Sequence, residues 1–197
     1  MRTRPPTAVA LSVLVLIGCA TRQPLPLAPG QLFPGPLMNV RAPASAGWLL
    51  VKSKSGAEGM VFGREDPFTG NTYAAQVSAF RLPPFGTPDE LLAIVEAGVA
   101  KDSPPDRFKV VDANFQLTSE RPYLCVRFRG SFEDLKALTR RGIAALPLHI
   151  RALYCQHPTQ GDLGLYIAYS QRGGRPDLDL DSQAQSFIDG VRTPQER

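Results

Sequence analysis

Between residues 48 and 171 apolar and polar positions mostly alternate, and in one stretch the spacing switches to three or four. Trp48-Leu49-Leu50-Val51-Lys52 reads as a strand, Lys54-Ser55-Gly56-Ala57 as a hairpin turn, and Gly59-Met60-Val61-Phe62-Gly63 as the returning strand. Thr72 to Leu82 is a longer strand with Tyr73, Ala75, Val77 and Ala79 on one face. The period then changes. Thr87-Pro88-Asp89-Glu90 is a capping box with proline at the first helical position, where its missing N–H costs nothing. Leu91, Leu92, Val95 and Val99 follow as the apolar stripe of a helix that ends before Pro104.

Phe108 to Leu117 returns to strand, and its inward face switches near Val110-Val111, as a bulge would make it do. Tyr123 to Arg129 puts Leu124, Val126 and Phe128 on one face and Cys125, Arg127 and Arg129 on the other. A short helix is expected over Phe132 to Thr139. Strands follow at Leu148 to Gln156, with Leu148, Ile150, Ala152 and Tyr154 inward, and at Leu163 to Gln171. Ser182-Gln183-Ala184-Gln185 is a second capping box, opening a closing helix that buries Ala184, Phe187, Ile188 and Val191. The order predicts an α+β domain, an antiparallel sheet with two main helices packed on one face. Together with Gly47-Trp48 at the opening and Phe187-Ile188-Asp189-Gly190-Val191 at the close, it resembles the PsbP-type fold over residues 40 to 193. That fold is shared by an extrinsic photosystem II subunit and by small bacterial lipoproteins, and carries no activity by itself.

The N-terminus has a different pattern. Met1-Arg2-Thr3-Arg4 is basic, and Ala8 to Gly18 is an apolar stretch of about eleven residues. Spanning a bilayer takes about 20, so this is the length of a secretory signal instead. It ends in Leu16-Ile17-Gly18-Cys19, which resembles the bacterial lipobox. The resemblance implies cleavage between Gly18 and Cys19, a diacylglycerol on the Cys19 thiol and acylation of the new amino group. Two or more acyl chains hold a protein stably to a membrane where one does not. Ala20 stands where an aspartate would resemble an inner-membrane retention signal, so the outer membrane's periplasmic face is the expected address, with the inner membrane's outer leaflet as the alternative. Residues 1–18 are thus a signal, and 19–37, rich in proline, a lipidated tether. Residues 38–197 form the single domain.

Composition narrows the partners. Loss of Arg2 and Arg4 with the signal takes the basic count from 22 to 20 against 18 acidic residues. No cluster of Lys and Arg with interleaved aromatics remains, which argues against nucleic acid. The expected contacts are the bilayer, through acylated Cys19, and an envelope protein or cell-wall component.

Export changes how two other cysteines are read. If strands 122–130 and 148–157 pair antiparallel with Cys125 opposite Cys155, then Phe128 faces Ala152, and both thiols share the face away from Leu124, Val126 and Phe128. In an oxidising compartment that pair becomes a disulfide. A rival use is metal binding by Cys155, His157 and Cys125, but His149 lies about 20 Å along the strand and a further ligand is not evident. Asp177, Asp179 and Asp181 alternate as calcium ligands do, but the positions that should hold Gly and Glu hold Ser182 and Ile188. They read as the acidic lead-in to the last helix. Neither a Gly-x-Ser-x-Gly elbow nor HExxH occurs, so Ser170 with His149 or His157 makes an unsupported nucleophile and base. No cofactor is implied. Phe80, Pro83, Pro84 and Phe85 form an apolar cluster, either core edge or partner-binding loop. Two classes of function remain: a non-catalytic envelope module that binds or positions a partner, and a lipid-tethered enzyme or small-ligand carrier with a site near His157.

Overall fold

The alternating segments pair into one eight-stranded antiparallel sheet. In the computed structural model residues 25–53 and 59–196 are described, so Gly18, Cys19 and the turn Lys54-Ser55-Gly56-Ala57 lie outside the described residues. The strands are β1 (Leu25–Pro26), β4 (Leu49–Ser53), β5 (Gly59–Glu65), β6 (Thr72–Arg81), β7 (Phe108–Thr118), β8 (Cys125–Thr139), β9 (Gly142–Gln156) and β10 (Leu163–Arg172). Their order across the sheet is β1-β4-β5-β6-β10-β9-β8-β7. A small second sheet joins β2 (Leu32–Phe33), β3 (Asn39–Arg41) and β11 (Val191–Arg192), with β3 in the middle. Two helices complete the fold, α1 (Pro88–Asp102) and α2 (Leu180–Asp189).

The helices cover opposite faces. Along β10, Leu165, Ile167 and Tyr169 join the cluster that holds Ala184, Phe187 and Ile188 of α2. Their neighbour Ala168 joins the cluster that holds Leu91, Val95 and Val99 of α1. Cys125 and Val126 divide in the same way, as do Leu153 and Ala152. Successive strand residues point to opposite faces, so the expectation of both helices on one face is corrected to one helix on each. The reason is visible in β10, where Leu165 to Tyr169 is apolar at every position, the mark of a strand buried on both sides.

Other expectations shift locally. Phe132 to Thr139 is not a helix: β8 runs straight through it and pairs with β9 as far as Thr139 opposite Gly142. The spacing of Phe132, Leu135 and Leu138 imitates a helix, but β9 supplies a ladder for the backbone and a register shift between Asp134 and Ala137 absorbs the irregularity. Helix α2 starts at Leu180, before the expected box; Ser182 Oγ donates to the Asp179 carbonyl instead of capping, and Val191 lies in β11. The register of β7 shifts between Val110 and Asp112, where the switch of face was expected. Thr87 caps α1 as anticipated, accepting from the Glu90 N–H at 3.3 Å.

The stretch read as tether is partly built in. Leu25 and Pro26 pair with Leu50 and Leu49 at the sheet edge, a position that lets proline omit its N–H. Leu27 N–H donates to the Trp48 carbonyl at 3.1 Å, and Phe33 lies 5.7 Å from Phe62, ring centre to ring centre. Residues in the segment read as tether, from Leu25 to Phe33, thus contact the main sheet.

Candidate functional site

The α2 face is a filled aromatic core. Trp48, Phe62, Tyr169 and Phe187 are fully buried, and Trp48–Tyr169 and Phe62–Phe187 meet edge to face at 5.7 and 6.1 Å. Cys125 and Cys155 sit in this face, directly opposite each other with Cα atoms 4.1 Å apart, and are disulfide-bonded. Gln156 N–H donates to the Leu124 carbonyl beside them, so the cysteine pair occupies the non-hydrogen-bonded position, where opposing Cα atoms come closest. Phe128 faces Ala152, as the expected register requires.

The residues considered for chemistry do not converge. Both ring nitrogens of buried His157 are used: Nε2 lies 3.3 Å from the Leu37 carbonyl, and Nδ1 accepts from the Thr159 N–H at 3.3 Å. That pairing fixes the tautomer with hydrogen on Nε2. Cys155 is committed to the bridge. Ser170, one residue from Tyr169 on β10, belongs to the other face, and its hydroxyl donates to the Ala74 carbonyl. A centre around His157, Cys155 and Ser170 is therefore not assembled. His149 meets only the Ser131 hydroxyl, at 3.1 Å, and burial followed by the Arg151 charge lowers its pKa.

The aspartates are also occupied. Asp177 accepts from the Asp179 N–H and the Gln183 amide, while Asp181 pairs with Arg151 and Arg129. Among the described residues no cluster of His, Cys, Asp or Glu has the makings of a metal site. At the chain's end, buried Arg121 donates to the Ile188 and Val191 carbonyls and pairs with Glu196 at 2.9 Å. Burial pulls the Glu196 pKa up, but the Thr193 N–H, the Tyr123 hydroxyl and the Arg121 charge outweigh it, and the net shift is down.

The α1 face differs. Its helix approaches the sheet backbone chiefly at β7 and β8. Toward the centre of the sheet a groove of about 550 Å³ stays open between helix and strands, within the range of small-molecule sites. Ile94, Val95, Gly98 and Val99 form its roof. Its floor is laid by β6, β7, β8, β9 and β10, with Phe80, Phe108, Phe128 and Phe132 among the aromatics. Gly164 and Gly130 make that floor possible: a Cβ on Gly164 would fall 2.2 Å from the Phe80 ring, and one on Gly130 2.5 Å from Phe128 and Phe132. Gly98 is the converse case, since a Cβ there meets no atom within 4 Å.

A few polar groups converge on this apolar surface. The rings of Tyr154 and Tyr166 lie 4.8 Å apart, centre to centre, tilted by 34°, and Gln76, Ser78, Asp102 and Ser103 complete the polar lining. Burial, with a smaller contribution from the Asp102 carboxylate, pushes the Tyr166 phenol up to about 12. Burial, then Tyr166 and Asp102, raises that of Tyr154 as well. Both are neutral hydroxyls at neutral pH. The sequence reading had Tyr154 inward but assigned it no role, and had nothing to say of Gly98 or Tyr166. The available signal was Gln76 and Ser78, polar residues on the inner side of a strand covered by a helix, beneath a mid-helix glycine. Of the Phe80, Pro83, Pro84 and Phe85 cluster, Phe80 and Phe85 pack against the α1-face core and the two prolines are exposed.

No known family model matches the chain. No curated protein matches it either. Solved structures do. The chain is similar to LpqN of Mycobacterium tuberculosis, involved in cell envelope biogenesis, at 18% identity over 87% of this chain and 91% of that one, with a TM-score of 0.42. It is similar to the cyanobacterial PsbP of Synechocystis, at 15% identity over 90% and 98%, with a TM-score of 0.49. It is also similar to the Ran-binding protein Mog1p of Saccharomyces cerevisiae, at 10% identity over 80% and 90%, with a TM-score of 0.46.

Proposed function

We propose that this chain is the precursor of an envelope lipoprotein, cut between Gly18 and Cys19 and acylated on Cys19. Its domain is a non-catalytic module at the periplasmic face of the outer membrane, where it binds or positions an envelope protein or cell-wall component. The observation that supports this most is the Cys125–Cys155 bridge, fully buried and directly cross-strand. Such a bond persists in an oxidising compartment, and the lipobox is an address to one. The two ends of the sequence then agree. Among the described residues no helix is long and apolar enough to cross a membrane.

Intact-mass analysis of the native protein extracted from membranes tests the reading, before and after reduction. The expected chain begins at Cys19, carries the mass of acyl groups and gains two protons on reduction. A polypeptide beginning at Met1, or an unmodified thiol at residue 19, would overturn it.

The groove under α1 favours a second reading within the alternative class, a small-ligand carrier. The site moves from the neighbourhood of His157 to the opposite face of the sheet.

A further inference from the structure

Any ligand for the groove under α1 must match a surface that is mostly aromatic and aliphatic. The roof contributes Ile94, Val95 and Val99, and the floor contributes Phe80, Leu148 and Ile150. None of these side chains can satisfy a buried polar atom, so the body of the ligand must be apolar. The polar lining is equally selective. It consists of two phenols, Ser78, Ser103, the Gln76 amide and one carboxylate, Asp102, and it includes no Lys, Arg or His. Arg107, next to the lining residue Phe108 in sequence, lies over the Phe108 ring at 4.9 Å and pairs with buried Asp134 at 3.4 Å. It is already engaged.

An anionic head placed here would meet the Asp102 carboxylate with no cation in the lining to offset the repulsion. A hydroxyl head can both donate to Gln76 or Asp102 and accept from the tyrosines. The tyrosines retain their protons, because burial raises both phenols above their ordinary value. The lining agrees, since the groove lies under a helix and has a polar, acidic margin at the helix C-terminus, where Asp102 and Ser103 sit.

We infer that the groove between α1 and the sheet is a binding site for a single-chain amphiphile with an uncharged, hydroxyl-bearing head. The apolar chain lies beneath Val95, Gly98 and Val99, and the head meets Tyr154, Tyr166 and Asp102. This deepens the carrier reading and rests on it, and it is independent of acylation at Cys19.

The test uses the full chain carrying Cys19→Ser, purified without detergent, so that acylation plays no part in the outcome. N-phenyl-1-naphthylamine serves as the fluorescent probe, and 1-dodecanol and dodecanoate as competitors. The probe should brighten on binding, and 1-dodecanol should displace it at about tenfold lower concentration than dodecanoate, the discrimination expected where a charged head is left unpaired. Gly98→Leu directs its side chain into the open space and should weaken probe binding about tenfold or more, with the melting temperature unchanged or raised. Ser78→Leu fills the same space from the floor and gives an independent reading should the helix variant fold poorly. Probe binding that neither variant weakens, no binding at all, or displacement by dodecanoate as readily as by 1-dodecanol would overturn the inference. Failure of the mass experiment on Cys19 would leave each of these results unchanged.

Discussion

The two faces of one sheet are finished in different ways. On the α2 side the chain places its largest aromatics, its disulfide and a buried arginine clasp, and Trp48, Phe62, Tyr169 and Phe187 are fully buried against one another. On the α1 side it places comparable aromatics, Phe80, Phe128 and Phe132, yet the helix above them lines the space with Gly98, whose Cβ position meets no atom within 4 Å. Protein interiors ordinarily pack as densely as organic crystals. Both faces leave some space, about 380 Å³ beside Tyr169 and Phe187 and about 550 Å³ under α1, and the α1 face departs further from that rule. A single sheet can thus separate the tasks, with stability assigned to one surface and accommodation to the other.

Truncation is the largest way to break this contrast. Phe187→Ala should cost about 3–5 kcal/mol by urea denaturation, because it opens a cavity in a filled core. Val95→Ala on the other face should cost only about 1–2 kcal/mol, roughly the transfer of the lost carbons, since a void already borders it. A Val95→Ala cost as large as that of Phe187→Ala would erase the distinction between faces. Next comes the bridge. It closes a loop spanning 30 residues, so replacing Cys125 and Cys155 together by alanine should cost about 3–4 kcal/mol on the chain-entropy view. A loss below about 1 kcal/mol would mean that the α2 face holds its register without it.

Smaller still is a pH effect on the same face. Glu196 has its pKa lowered from 4.5 by its partners in the fold, so the unfolded chain takes up a proton first. The associated stability is present above about pH 4.5 and is lost as the pH falls toward the lower folded value. Melts between pH 6 and 3 should show that loss, and Arg121→Ala should flatten it while lowering stability throughout. At the bottom of the scale are two changes on α1. Thr87→Ala removes the cap and should cost about 1 kcal/mol. Gly98→Ala should add about 0.5–1 kcal/mol, because a methyl enters open space in a helix. A destabilising Gly98→Ala would show that the roof of the groove is already full.

Local chemistry was legible wherever a few adjacent residues decide the outcome. Thr87, Pro88 and Glu90 carry the start of α1 in four positions, and the change of face at Val110-Val111 marks a bulge from within one strand. The cysteine register was legible for a related reason, since period-two alternation in β8 and β9 places Cys125 and Cys155 with little freedom. What depends on a distant partner was not. Residues 132–139 have helical spacing and become strand because Gly142 to Gln156 lies alongside. The assignment of each helix to a face was hidden by strands apolar on both sides, as in β10. The groove was least legible of all. It arises between Gly98 and a floor drawn from five strands, and nothing in the neighbourhood of Gly98 announces the missing volume.

The pairing of Leu25 and Pro26 with β4 has a bearing on how far the domain can roam. Because Leu25 pairs with the sheet, at most six steps of chain separate the domain from the proposed acylated thiol at residue 19. Even drawn taut, six residues reach only about 20 Å. On that anchor the domain is a moored float and not a kite: it rides within one domain's width of the lipid headgroups, and whatever it meets must come to the membrane surface to be met.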